Sequence, residues 1–397
     1  MESNKKNLAI LFFTMVVVML GFGMVIPVMP FYIKSFGASG KALGALMAVY
    51  GITQFAFAPI WGGLSDRYGR KPILMLGVLG NAIAQLLFGL STQLWMLFAA
   101  RALSGILSAA TLPTAMAYIG DTTTHEQRGG GMGIIGAAMG IGMVIGPGLG
   151  GLLAGTDLSA PFFLAAALSF LALVLIWLVL PEPPRVRPVA SGEKKDNQLV
   201  ALIKAITGPI GILFLLSFLL TFGLTNFEAV FGLYAADRYE YGPSQVGMVL
   251  TLIGLLSAIV QGGLIGPLIR KIGEVLIIRW ALLLSAVGFV LMTLPQTFLQ
   301  VFLATGFFVS FNSLLNPSVA SLVSKRTPYQ QGFTMGLNNS FLSLGRIAGP
   351  LWAGFAYDIS MNLPFLTGAV IMLVGFFISL FALASHPVEF AEMNPQV

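Results

Sequence analysis

The chain reads as an all-α membrane protein, with twelve transmembrane helices in two pseudo-symmetric six-helix bundles. Three observations predict this. Of 397 residues, 57% are hydrophobic and only 9% are charged, against roughly a quarter charged in a soluble domain. Apolar runs long enough to cross a hydrocarbon core of about 30 Å, which takes about 20 helical residues, recur along the whole chain. The longest polar break, PEPPRVRPVASGEKKDNQ at 181–198, separates six such runs from six more. A lipid-facing β-barrel would need strands of about ten residues alternating in polarity, whereas these runs are apolar all round.

The first run, 8–33, resembles a signal peptide in position but is too long and lacks a small-residue cleavage site, so it is the first span. The second, 42–64, leads into GGLSDRYGRK, where Gly69 supplies a turn and Pro72 starts the third span, 72–91. The fourth, 94–120, contains Arg101. The fifth, 130–154, carries a glycine series and Pro147, which frees a backbone carbonyl and bends the helix. The sixth, 160–180, runs up to the polar break. The seventh, 209–234, is uncharged except for Glu228. The eighth to tenth are 244–268, 275–294 and 297–323; the eleventh, 332–355, holds Arg346, and the twelfth is 362–384. This gives an N-terminal bundle at 1–186, a linker at 187–206 and a C-terminal bundle at 207–397.

The halves repeat one another. GGLSDRYGRK (62–71) returns as GGLIGPLIRK (262–271), and MGIIGAAMGIGMVIGPGLGG (132–151) returns as MGLNNSFLSLGRIAGPLWAG (335–354). In the second pair Met132/Met335, Gly142/Gly345, Gly146/Gly349, Pro147/Pro350 and Gly151/Gly354 keep one offset of 203. In the first pair Gly266 stands where Asp66 stood, which predicts a strong ionic latch in the first half only. Two bundles related by an axis along the membrane normal place a binding site between them near mid-membrane, and transport by rocking follows.

Charge sets orientation. Lys5, Lys6, Arg67, Arg70, Lys71, Arg128, Arg270, Lys271, Lys325, Arg326 and the basic residues of the central break fall on one side, and Lys34, Lys41 and Arg238 on the other. The positive-inside rule makes the first side cytoplasmic, with both termini there, in a multi-pass protein of the plasma membrane. The net charge of +6 reflects this orientation and contact with lipid headgroups rather than nucleic acid. With no cysteine there is no thiol catalysis and no Cys-ligated metal. Enzyme chemistry has little else to use: the only histidines are His125 and His386, and no GK[ST] phosphate loop is present. No metal or cofactor is expected, and the energy has to come from a gradient.

Arg101, Glu228 and Arg346 are the ionisable groups placed well inside spans. At about 1.5 Å per residue each lies roughly 9 to 15 Å from the outer end of its helix. A charge at such depth normally faces the bundle interior and has a partner or a task. Glu228 reads either as half of a structural ion pair or as a carboxyl that takes and releases a proton as its surroundings alternate between dry and charged. Arg101 has no opposite charge in its own run and could bond helix carbonyls instead. Arg346 has no assigned role.

With these residues in view, the chain resembles the twelve-helix drug/proton antiporters of the major facilitator superfamily over essentially its whole length. GGLSDRYGRKP is similar to the superfamily signature, RALSGILSAA (101–110) to the basic fourth-helix motif, GMVIGPGLGG (142–151) to the antiporter motif, and LGFGMVIPVMP (20–30) to the first-helix motif of drug exporters. The quinolone- and dye-exporting multidrug pumps of Gram-positive bacteria, which carry a seventh-helix Glu, are nearest in pattern. The resemblance implies a monomeric, proton-gradient-driven exporter of lipophilic small molecules. It makes Glu228 and Arg101 coupling residues and Asp66, Arg70 and Asp121 a gating cluster, with Gly146 and Pro147 gating through the bend of the fifth helix. Asp66 would accept from the exposed amides near 331–333 and so latch the bundles. It lines the pocket with Met19, Phe22, Ile26, Gln54, Leu112, Met143, Phe308, Phe311 and Asn312. Two departures matter. Relatives with a second acid on the tenth helix have here Asn312 and Asn316, so Glu228 would couple alone. Tetracycline exporters carry an Asp where this chain has Met19, which disfavours a metal–tetracycline substrate. A lipid or glycolipid flippase on the same scaffold is the alternative.

Overall fold

The computed structural model describes residues 2–183, 207–208, 210–327 and 331–383, so the expected linker at 187–206 lies outside the described residues. Among the described residues twelve long helices follow in order: α1 (Glu2–Ser35), α2 (Gly40–Tyr68), α3 (Arg70–Gly89), α4 (Leu94–Thr122), α5 (His125–Ala154), α6 (Ala160–Val179), α7 (Gly211–Tyr239), α8 (Pro243–Ile272), α9 (Glu274–Leu291), α10 (Phe298–Arg326), α11 (Gln331–Ile359) and α12 (Leu363–Ala382). Each covers one predicted run. Most extend a few residues past it, because the backbone hydrogen-bond ladder continues beyond the apolar stretch: α7 ends only where Glu240 turns left-handed, at φ 57°. Eleven of the twelve contain a stretch apolar enough to cross a bilayer. The exception is α11, which carries Asn338, Asn339, Ser340, Ser343 and Arg346.

Two spans are interrupted where a proline removes a donor. In α4 the ladder breaks at Ala109 and Ala110, four and three residues before Pro113, and Ala110 N bonds Leu107 O at 3.1 Å instead. In α8 a π turn at Val260–Leu264 precedes Pro267, which has no N–H for the carbonyl of Gly263.

The repeat is visible in three dimensions. A methyl group at Gly44 of α2 would meet the Pro350 carbonyl and Gly354 of α11; one at Gly247 of α8 would meet the Pro147 carbonyl and Gly151 of α5. All three pairs, 44/247, 147/350 and 151/354, keep the offset of 203 seen in the sequence. These contacts join the bundles at the end that carries the α1–α2 turn, here the far end. Lys34 Nζ–Asp237 Oδ1 at 2.5 Å, Gly40 N–Asp358 Oδ1 at 2.8 Å and Ser244 Oγ–Gly151 O at 3.1 Å add polar ties there. Toward the opposite, basic end the bundles diverge, and Gly136, Gly140, Gly262 and Gly336 face open space. The molecule is therefore closed at the far end and open at the basic end.

One element of the predicted repeat needs correction. Gly69 and Gly273 take the positive φ values, 110° and 76°, that join α2 to α3 and α8 to α9, so these two glycines are equivalent and the local offset is 204 rather than 200. Asp66 then corresponds to Arg270 rather than Gly266, and Arg70 corresponds to Glu274. The second half does carry an ionic cluster, with its charges exchanged: Arg70–Asp121 in the first half becomes Glu274–Lys325 in the second, and Ser321 Oγ also donates to Glu274 at 2.8 Å.

Candidate functional site

Between α5 and α8, around their close contact at Gly254 and Val144, lies a cavity of about 350 Å³. Ile26 of α1, Met139, Met143 and Pro147 of α5, and Leu250, Ile253, Ser257 and Gln261 of α8 contribute to its wall. Glu228 is the carboxylate in that wall. Its position follows from packing on both sides of α7. Phe227 and Phe231 turn into the aromatic core of the second bundle, with Phe227 5.4 Å from Phe308 and 5.1 Å from Phe231 between ring centroids. Gly345 and Gly349 let α11 sit directly on the backbone of α7 near Phe222 and Asn226. Glu228 is left facing the cavity. Arg346, on the same α11 surface, is the charge that acts on it, without a direct ion pair.

The expected pocket residues divide. Ile26 and Met143 line the cavity with Glu228, and Pro147, expected as a gating residue, lies in the same wall. Phe22 and Gln54 meet at Tyr50: the rings of Phe22 and Tyr50 are 5.4 Å apart, and Gln54 Nε2 donates to Tyr50 Oη at 3.1 Å. Met19 and Leu112 pack on the core of the first bundle. Phe308 is fully buried between Phe227 and Phe289, whose centroid is 4.5 Å away, and Asn312 is buried with its Nδ2 unpartnered. Phe311 is half-buried against Phe307 at 5.0 Å. The cavity wall thus includes neither Phe308 nor Asn312.

Arg101 is buried within the first bundle rather than beside Glu228. Its guanidinium lies over the rings of Tyr50, at 5.5 Å, and Phe88, at 5.4 Å, and its Nε has no hydrogen-bond partner. Such cation–π contacts are worth about 0.5–2 kcal/mol each, so aromatic faces take the place of the helix carbonyls the sequence suggested. Through Tyr50, Arg101 is linked to Phe22 and Gln54, which lie outside the cavity lining.

At the basic end Asp66, Arg70 and Asp121 do come together. Arg70 Nη1 is 2.5 Å from Asp66 Oδ1, and Arg70 Nε is 2.7 Å from Asp121 Oδ2. Asp66 is half exposed beside the open cleft, bonded within its own bundle. The glycines of α5 serve two partners: Gly142, Gly146 and Gly150 seat α1, whereas Gly148, Gly151 and Gly155 face α8.

Sequence reasoning missed several residues. Gln261 and Ser257, four apart on α8, had the same signal that singled out Gln54 and Asn312, a polar side chain within a span. Tyr50 had none, since an aromatic residue in an apolar run is ordinary. Glu182, beyond the sixth span, caps α3 by accepting from Arg70 N at 2.6 Å and Lys71 N at 2.9 Å, an anion at a helix N-terminus. Arg279, a further charge inside a span, donates to the carbonyls of Ser379 and Leu380, both at 3.3 Å, at the end of α12.

A twofold-repeated twelve-helix bundle with a cavity between its halves has known counterparts. The sequence matches the profile of the Major Facilitator Superfamily over residues 11–273 and again over 213–395. The chain belongs to the Major Facilitator Superfamily. The overlapping matches reflect the duplicated bundle, and membership makes the chain a multi-pass membrane transporter rather than an enzyme. Among its superfamily relatives, it is 35% identical to multidrug resistance protein 1 of Bacillus subtilis (strain 168), covering 94% of this chain and 96% of that one. It is 29% identical to the quinolone resistance protein NorA of Staphylococcus aureus (strain COL), covering 98% and 99%. In three dimensions it resembles a bacterial homologue of the human lysosomal transporter Spinster in an inward-facing, occupied conformation, with a TM-score of 0.82 over 97% of this chain and 98% of that one, at 15% identity.

Proposed function

We propose that this superfamily member is a proton-coupled multidrug exporter of the plasma membrane, acting as a monomer, with its basic end and both termini in the cytoplasm. The positive-inside rule supports the orientation, and it makes the structure inward-facing. The observation that carries the reading is a single carboxylate, Glu228, in the wall of a largely apolar cavity of drug size. Apolar walls suit lipophilic drugs of varied shape, and flexible methionines such as Met139 and Met143 adapt to them. Glu228 can hold a cationic drug or a proton, and competition between the two couples export to proton entry. The relatives named for multidrug and quinolone resistance support the same substrate class. Asp66, Arg70 and Asp121 then gate the cytoplasmic side, with Asp66 reaching the start of α11 when the cleft closes.

The position of the cavity at the α5–α8 seam favours a second reading as a lipid or glycolipid flippase, which needs a lateral opening. Everted vesicles carrying the purified chain separate the two. Ethidium and quinolone uptake that needs a pH gradient supports the exporter, with little metal–tetracycline uptake because Met19 replaces an acid. Labelled-lipid translocation without dye transport supports the flippase.

A further inference from the structure

Arg346 is the arginine within a span whose role the fold does not explain. Arg70 is held by Asp66, Asp121 and Ser65. Arg279 caps α12. Arg101 lies between two rings. The guanidinium of Arg346, by contrast, is exposed and has neither a hydrogen bond nor an ion pair with the described residues. It does not face lipid. Leu351, Phe355 and Ile359 form the exposed apolar face of α11, and Phe355 is nine residues, about two and a half turns, from Arg346 and so on the opposite side. Asn339, also exposed, is seven residues before Arg346, about two turns, and stacks beneath it with Ser343 between. This polar stripe, which makes α11 the least apolar span, faces the cleft that opens at the basic end. Charges inside a membrane protein take such interior, solvated positions because lipid exposure is costly.

The second bundle thus presents two opposite charges to one cleft. Gly345 and Gly349, on either side of Arg346, pin α11 to α7 at Phe222 and Asn226, which puts Arg346 and Glu228 on packed stretches of adjacent helices. Arg346 is the charge that bears on Glu228, yet the two do not close into an ion pair. A carboxylate in the cavity wall and an unpaired guanidinium on the neighbouring helix, outside the lining of that cavity, match an extended ligand that carries both charges.

We propose that Arg346 is a specificity-determining anion subsite: it takes the carboxylate of a zwitterionic amphipathic substrate while Glu228 takes the cationic nitrogen. This rests on the drug-export reading. A guanidinium suits the role because its planar fork binds a carboxylate through two parallel hydrogen bonds. A substrate with only a cation uses Glu228 alone and loses no contact when Arg346 is removed.

The test compares three probes in proteoliposomes with a pH gradient: norfloxacin, a zwitterion; its ethyl ester, a cation of nearly the same shape; and ethidium. Arg346→Gln is expected to lower kcat/KM for norfloxacin about ten- to hundredfold, as loss of a charge-assisted hydrogen bond would. The ester and ethidium should lose no activity, since they have no anion to lose and a like charge is removed from beside their site, which also shows that the variant folds and couples. Arg346→Lys should recover part of the norfloxacin activity. Equal loss for all three probes would make Arg346 a coupling or structural residue, and an unchanged norfloxacin rate would deny it contact with the anion; either result overturns the proposal and leaves drug export standing. Failure of the wild type to move any of the three overturns both.

Discussion

Lys34 and Asp237 meet across the far end of the two bundles with 2.5 Å between Nζ and Oδ1, and they occupy equivalent places in the repeat, 203 residues apart. The second oxygen of Asp237 accepts from Tyr357 Oη at 2.6 Å, which fixes the carboxylate. Asp358, the next residue, accepts from the amides of Gly40 and Lys41, at 2.8 and 3.1 Å, at the start of α2. An anion is favoured there because those amides have no partner within the helix.

An exposed ion pair contributes only about 0–1 kcal/mol. Transporter states separated by a few kcal/mol respond to that much. Lys34→Met or Asp237→Asn is therefore expected to raise the population open at the far end about two- to fivefold. Paired spin labels on cysteines placed at Thr92 and Gln296 report the separation, and the chain has no native cysteine to interfere. The exchanged pair, Lys34→Asp with Asp237→Lys, should restore the wild-type distances. Identical distance distributions in wild type and both single variants would make the contact incidental.

Gly247→Leu addresses the same closure through packing. The site faces the Pro147 carbonyl and Gly151, with no room for a side chain while the far end is shut. Overpacking of this kind costs about 1–3 kcal/mol, and the cost falls on the closed form alone. The far-end-open population should rise, and export should slow because return to the drug-loading state becomes uphill. By the repeat, Gly44→Leu should act alike. Normal transport with unshifted label distances would show that this contact is not part of the cycle.

The spans, their number and the duplicated α5/α11 motif were legible in the sequence because each rests on a local signal: an apolar run, a proline, a glycine series at one offset. Ile26, Met143 and Glu228, singled out in the sequence, lie together in one cavity wall. What could not be read was which side of a helix meets which neighbour. Phe308 and Asn312 form an inward stripe with Leu315, but inward for α10 means the core of its own bundle. An aromatic stripe looks the same whether it faces a core or a cavity. The charge-exchanged cluster Glu274–Lys325 was hidden for another reason. The repeat of 62–71 aligns by its paired glycines at one offset and by its turn glycine at another, and only the backbone angles of Gly69 and Gly273 show which is structural.

Phe308→Ala turns that distinction into a measurement. The side chain has no exposed surface and touches Phe227 and Phe289, so truncation should cost about 3–5 kcal/mol of stability. The thermal midpoint in detergent should fall, while the protein that remains folded keeps its drug KM. Met143→Ala, at a half-buried position in the cavity wall, should do the reverse: a raised KM for lipophilic drugs with little loss of stability. If Phe308→Ala changed drug selectivity at unaltered stability, the ring would have to enter the cavity in another state of the cycle.

Glu228→Gln isolates the coupling step. Glutamine keeps the length and one hydrogen-bonding oxygen of the carboxyl but can neither release a proton nor carry charge. Because Glu228 is the carboxylate in the cavity wall, uphill export should stop while downhill drug exchange survives, since a pH difference of one unit supplies about 1.4 kcal/mol only if a proton moves. Monovalent cations should lose more affinity than neutral drugs, which have no counter-charge to lose in a site of low dielectric. Zwitterions should fall between, still held at the carboxylate by Arg346. The measurement is drug-induced proton release recorded alongside drug accumulation in proteoliposomes at several pH values, for wild type and variant. Accumulation driven by a pH gradient at the wild-type rate in Glu228→Gln would make Glu228 structural and move the search for the proton carrier to Asp66, Asp121 and Asp237.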